Sequence, residues 1–166
     1  ESARHAFPAW SQTPLAVRQS KVAELAEMLT LHQEDFMRLL TLEQGKARAG
    51  AEWEIGGCIH WLREIAKQSL PEIVIRDDAE GRVVTRHVPL GVVGAITPWN
   101  FPMLLALWKI APALLAGNTL VVKPSPYTPL CTLWFGELAQ TILPPGVLNV
   151  VAGGNEMGQW LTEHPQ

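Results

Sequence analysis

One stretch, Gly91 to Lys123 (GVVGAITPWNFPMLLALWKIAPALLAGNTLVVK), constrains this chain more than any other. Gly91 to Thr97 is a short apolar run with Val92, Val93 and Ile96 at its centre, the composition of a buried strand. Pro98 and Pro102 bracket a loop, each fixing φ and removing a backbone donor. Met103 to Ala116 is apolar on nearly every face, which predicts a helix covered on most sides. Gly117-Asn118 is a helix stop, and Thr119 to Lys123 reads as a second buried strand. Two nearly continuous apolar strands joined by a helix predict a parallel βαβ unit. Ligands of such sheets sit off the carboxyl ends of the strands. Those ends carry Thr97-Pro98-Trp99-Asn100 and Lys123-Pro124-Ser125, so an indole, an amide and an ammonium are expected to face one crevice.

Around this core the expected class is α/β, with N-terminal helices, a β-hairpin and half of a doubly wound parallel sheet. Glu1 to Gln12, interrupted by Pro8, reads as irregular. Thr13-Pro14 reads as a helix start, with the hydroxyl as cap and proline at the first helical position. Val22, Leu25, Ala26 and Leu29 follow helical spacing. A second helix carries Phe36, Leu39 and Leu40 and stops near Gly45. A third runs from about Ala47 to Ser69 with a stripe of Ile55, Cys58, Ile59, Leu62, Ile65 and Ala66, leaving Trp53 and Trp61 outside it. Ile73–Arg76 and Arg82–Val88 predict a half-exposed hairpin turning at Asp77 to Gly81. Beyond the central stretch come a helix from Pro129 to Ile142, a strand from Val147 to Val151 and a helix from Asn155. The order from Gly91 onward is therefore βαβαβα, and the expected divisions are 1–70, 71–89 and 90–166.

Charge and cysteine usage narrow the function. A net charge of −3 gives no footprint for nucleic acid or an anionic membrane surface. The apolar run from Phe101 to Ala116 is too short to span a bilayer and contains Lys109. No signal peptide is read at the start. Two widely separated cysteines, Cys58 and Cys131, suit a reducing cytoplasm better than a disulfide framework. The histidines show no metal-ligand spacing, so no metal is expected.

The candidate site residues each carry two readings. Asn100 could donate its amide to a developing oxyanion or cap the helix that follows; spacing alone favours the cap. Lys123 could hydrogen-bond sugar or phosphate oxygens or snorkel to the surface. Trp99 could wall a ligand pocket or be a large core residue. Gly153 and Gly158 could lie near a nucleotide or serve turns and packing. Cys58 sits on an apolar stripe. Cys131 lies in the first turns of a helix, where a thiol pKa can fall. The usual G-x-G-x-x-G fingerprint does not follow the first strand.

PWNFP, then WK-x-APAL-x-x-GN, VVKPS, TPL and PPGVLNVVAGG together closely resemble the NAD(P)-dependent aldehyde dehydrogenase superfamily over nearly the whole chain. That resemblance reverses the order at Asn100, which matches the family's oxyanion-hole residue. It implies cofactor contacts at Thr97, Pro98, Trp99, Asn100, Lys123 and Ser125, with Trp99 beside the nicotinamide and Lys123 on the adenosine ribose. Gly153 and Gly158 would approach the adenine half. The chain departs from the family's K-P-S-E pattern at Pro126, which replaces a ribose-binding glutamate, so NAD with tolerance of NADP is expected. Residues 1–70 would be the helical part of the cofactor domain, 71–89 an oligomerisation hairpin, and 90–166 the first half of the nucleotide-binding sheet. The implied activity is oxidation of a small aldehyde to a carboxylic acid in a homodimer or homotetramer. The Trp-Asn pair suits water-using members better than the coenzyme-A-acylating branch. Neither cysteine matches the family's nucleophile, which lies downstream with the general-base glutamate, so these residues are expected to be inactive alone. The alternatives are a non-catalytic fragment that binds nucleotide and an oligomerisation module.

Overall fold

The computed structural model describes residues 1–165. In chain order the elements are α1 (Ser2–Gln12), α2 (Leu15–Leu31), α3 (Gln33–Gln44), α4 (Arg48–Ala66), β1 (Ile73–Asp78), β2 (Gly81–Thr85), β3 (Val92–Ile96), α5 (Pro102–Leu115), β4 (Thr119–Lys123), α6 (Leu130–Ala139), β5 (Leu148–Val150) and α7 (Asn155–Thr162). β3, β4 and β5 form a parallel sheet in that order, and β1 pairs antiparallel with β2. The α/β class and the βαβαβα order are as expected.

Side-chain alternation assigns the two faces of the sheet. Leu120 and Val122 of β4 point into the apolar core shared with α5 and α6. Thr119 points the other way, and its Oγ1 donates to the Ala3 carbonyl of α1 at 2.8 Å. Leu107, Ile110, Ala111 and Leu114 of α5 are fully buried. They meet the α2 and α4 stripes in one cluster that includes Val22, Leu25, Leu29, Ile55, Cys58 and Leu62. Each such aliphatic side chain stabilises the fold by roughly 1.5–3 kcal/mol. The N-terminal helices therefore form a layer over α5. That layer also holds both ends of α5: Glu54 Oε1 accepts from Met103 N and Leu104 N at 3.0 and 3.1 Å, and Arg18 Nε donates to the Leu115 carbonyl at 2.8 Å. An acid at the start and a base at the end match the helix dipole.

Several local expectations are corrected. Residues 2–12 are helical despite Pro8. An interior proline costs a helix about 3 kcal/mol, which the packing of α1 on β4 and the burial of Ala3 and Trp10 offset. Gly146, at φ +83°, lets α1 sit close: a Cβ there would lie 2.7 Å from the Ser2 carbonyl oxygen. Thr13 does not cap α2; its Oγ1 bonds back to Ala9 O of α1, and Pro14 takes the N-cap position. The hairpin is more exposed than half: every residue of β1 is exposed. Its turn is fixed by Asp78 Oδ1, which accepts from Glu80 N and Gly81 N. α6 stops at Ala139, and the chain reaches β5 through consecutive turns rather than more helix. Gly45, at φ +77°, ends α3 as anticipated.

Candidate functional site

The β3–β4 register brings the two predicted loops together. Ile96 pairs with Lys123, and Thr97 N donates to the Lys123 carbonyl at 3.1 Å. The segments leaving these strands, Pro98–Phe101 and Pro124–Thr128, therefore start side by side. A long contact of 3.5 Å from Thr128 Oγ1 to the Trp99 carbonyl joins them further on.

Asn100 is exposed, and its side-chain amide has no hydrogen-bond partner among the described residues. The capping alternative falls away, because Phe101 occupies the N-cap position and the first amides of α5 are taken by Glu54. Trp99 is 56% exposed and so is not a core residue. Lys123 is buried rather than snorkelling: it is 3% exposed, and its ammonium donates to the Pro124 carbonyl at 3.1 Å. That is one acceptor among the described residues for three N–H donors. Thr97 is also buried, and its hydroxyl has no hydrogen-bond partner among the described residues. Orphaned buried hydroxyls are uncommon in folded proteins. A buried ammonium with spare donors fits a ligand rich in hydroxyl oxygens, such as a nucleotide ribose. Ser125 is buried and its Oγ accepts from Tyr127 N, while Pro126 is exposed and offers no acceptor side chain.

Gly153 and Gly158 lie on the connection out of β5 and on α7. A Cβ at Gly153 would sit 2.5 Å from Met157 Cε, the far end of a flexible side chain that can move aside. A Cβ at Gly158 would meet only Ile96 Cδ1, at 3.9 Å, which puts Gly158 across from the end of β3. The structure thus joins Thr97, Trp99, Asn100, Lys123 and Ser125 in adjoining loops and ties Gly158 to them through Ile96.

The helix termini give a physical account of the missing glycine fingerprint. A dinucleotide pyrophosphate commonly uses the free N-terminus of the helix after the first strand. Here Glu54 fills that terminus on α5. Glu43 does the same for α6, accepting from Leu130 N at 2.7 Å and Cys131 N at 3.0 Å. A carboxylate already at each terminus leaves no anion site on either helix. Neither glutamate was singled out from the sequence, nor was Lys46, which bonds Glu54 and also donates to the Asn100 carbonyl at 2.9 Å. These residues are distant in sequence from the groups they hold, so no local pattern marks them.

Both thiols are buried. Burial, and secondarily Glu54, pushes the Cys58 pKa well up. Burial, and then the Glu43 carboxylate at the α6 terminus, pushes Cys131 up as well, overriding the helix-terminus effect that would lower it. Among the described residues no group of three His, Cys, Asp or Glu side chains is placed to hold a metal ion, and no helix is long and apolar enough to cross a membrane. A cavity of about 780 Å³ lies between α2 and α4, lined in part by Ala23, Ile59 and His60, and none of the predicted site residues borders it.

Comparison with known proteins places these features in context. The profile of the aldehyde dehydrogenase family matches residues 1–166. The aldehyde dehydrogenase LUC3 of a Fusarium species is 42% identical over 165 residues, covering 99% of this chain and 34% of LUC3. Phenylacetaldehyde dehydrogenase of Pseudomonas fluorescens is 42% identical over 95% of this chain and 34% of its own length. Among solved structures, PnpE in complex with nicotinamide adenine dinucleotide superposes with a TM-score of 0.94 at 37% identity, covering 98% of this chain and 34% of PnpE. The chain thus spans about a third of the length of the relatives it matches.

Proposed function

The chain belongs to the aldehyde dehydrogenase family, and on that footing we propose that it contributes the oxyanion donor and part of the cofactor cradle to an NAD(P)-dependent oxidation of an aldehyde to a carboxylic acid. The observation that carries this reading is the unpartnered Asn100 amide, held on a proline-bracketed loop beside the buried Lys123. Attack on an aldehyde turns its carbonyl oxygen into an alkoxide. Asn100 donates an amide N–H to that oxygen as the charge develops, a contact stronger in the transition state than in the ground state. Trp99 presents an exposed indole next to it and helps keep water from the reacting carbon. A bound nicotinamide dinucleotide supplies the hydride acceptor. Lys123 is the group that would hold its sugar, with Thr97 and Ser125 in the adjoining loops and Gly158 opposite. The nucleophile and the water-activating base come from outside these residues, since both thiols here are buried and held protonated.

The same reading assigns residues 1–70 and 90–166 to one cofactor-binding domain and 71–89 to an oligomerisation hairpin. The hairpin's exposed Ile73, Val74, Ile75 and Val83 support a surface that another subunit of a homodimer or homotetramer covers. Two free cysteines fit a reducing, cytoplasmic compartment.

Asn100→Ala in the full-length protein tests the chemical assignment. Loss of one oxyanion donor lowers kcat about a hundredfold to a thousandfold, while the Kd for NAD, measured by quenching of nucleotide fluorescence, stays near the parent value. A kcat within about twofold of the parent overturns the role.

A further inference from the structure

Lys46 and Glu54 form a buried polar pair that the proposed chemistry does not use. Glu54 is fully buried, and the Lys46 side chain is 12% exposed. The Lys46 ammonium has three contacts. One goes to Glu54 Oε2, one to the Asn100 carbonyl at 2.9 Å, and the ammonium lies 4.1 Å from the centre of the Phe101 ring. Trp53 packs edge-to-face with the same ring, 5.8 Å from Phe101 centre to centre. Glu54 Oε1 meanwhile holds Met103 N and Leu104 N. A continuous polar chain therefore runs from the start of α5 through Glu54 and Lys46 to the backbone of Asn100.

That chain fixes the loop from both sides. The prolines restrict φ at 98 and 102, but the residues between them have no ladder hydrogen bonds to hold them. Lys46 supplies the missing tether at the Asn100 carbonyl and the Phe101 ring, the two groups next to the Asn100 side chain. Because its ammonium is itself anchored on a buried carboxylate, the tether is stiff. Buried polar pairs of this kind contribute little net stability compared with an apolar pair of the same volume. What the geometry adds here is the position of one loop.

We propose that Lys46, anchored by Glu54, is a positioning residue for Asn100, setting where its amide points rather than touching substrate or cofactor. The idea rests on the oxyanion role of Asn100 for its kinetic consequence, though not for its structural one.

The test uses the full-length protein. Lys46→Met alone leaves the buried Glu54 carboxylate without its counter-charge, so the principal variant is Lys46→Met/Glu54→Gln, which keeps an Oε1 acceptor for the α5 amides and removes both charges. A displacement of about 1 Å at a reacting group can cost about a hundredfold. The expected result is a kcat lowered about tenfold to a hundredfold, with the KM for NAD changed less than about threefold. A merely structural pair would not produce that split. Adding Asn100→Ala to the double variant should then cost far less than it does in the parent, because the amide is already misplaced. An undiminished effect of Asn100→Ala in both backgrounds means the sites are independent and overturns the proposal. A crystal structure of the double variant supplies the arm that does not depend on chemistry: the Asn100 amide should shift by about 1 Å or more. An unmoved loop overturns the proposal by itself. If Asn100→Ala is silent in the parent, the oxyanion reading falls, and the crystallographic result still decides the role of Lys46.

Discussion

Glu54→Ala should be among the more destabilising single changes in this chain. The substitution deletes a fully buried carboxylate with three partners: Met103 N, Leu104 N and the Lys46 ammonium. Two amides at the start of α5 lose their only side-chain acceptor. Loss of a helix cap typically costs about 0.5–2 kcal/mol. Lys46 is left as an unpaired charge in a mostly buried position, and breaking a buried pair from one side costs about 3–5 kcal/mol. The two losses share one side chain and do not simply add, so a total of about 3–5 kcal/mol is expected. Glu54→Gln separates the contributions. It retains the volume and an oxygen for both amides, and its cost should be roughly half, since neutral acceptors make hydrogen bonds about half as strong as charged ones. Urea unfolding followed by both tryptophan fluorescence and far-UV circular dichroism gives the values, provided the two transitions coincide. A cost below about 1 kcal/mol for Glu54→Ala, against the 3–5 expected for a broken buried pair, would refute the reasoning. So would equal costs for Ala and Gln, because the cap would then contribute nothing.

Three further predictions follow from other parts of the structure. Gly136→Ala introduces a Cβ 2.5 Å from Val150 Cγ2; overpacking of about 1–3 kcal/mol should outweigh the helix-propensity gain of about 1 kcal/mol, and Val150→Ala should relieve it in a urea-denaturation cycle. Cys58 and Cys131 hold their protons in the folded state, while the unfolded thiols ionise near about pH 8.5. The unfolded chain then binds fewer protons above that pH, so stability falls as pH rises; Cys58→Ala/Cys131→Ala should flatten the alkaline decline relative to its own neutral value, and a decline of unchanged slope would refute the account. In the full-length protein, Pro126→Glu should raise the preference for NAD over NADP, because a carboxylate beside Lys123 accepts from ribose hydroxyls and repels a 2′-phosphate. Strict NAD use in the parent, unaltered by the substitution in steady-state assays with both nucleotides, would sink that idea.

The βαβ unit was legible because its signals are local. Val92 to Ile96 and Thr119 to Lys123 are apolar runs of strand length, and Pro102 and Gly117 mark the ends of α5 in sequence as they do in space. The parallel pairing follows from those elements, and with it the adjacency of the Thr97 and Lys123 loops. Residues 1–12 were misread for an equally local reason. Pro8 argues against a helix, and the contacts that overrule it, such as the Ala3 carbonyl on Thr119, come from strands far later in the chain. The same limit applies to the site. That Asn100 occurs in a proline-bracketed loop is written in the chain itself. That its amide is left unpartnered depends on Glu54, 49 residues from the Met103 amide it caps, and on Lys46, 54 residues from the carbonyl it holds. A glutamate and a lysine in a helical region read as solvated charges in a linear sequence. Packing of α4 against α5 removes them from water and leaves them each other, the first amides of α5 and the loop to bond with. Spacing along a chain encodes which element forms. Which charge loses its water, and therefore which loop it must hold, is decided when the elements pack.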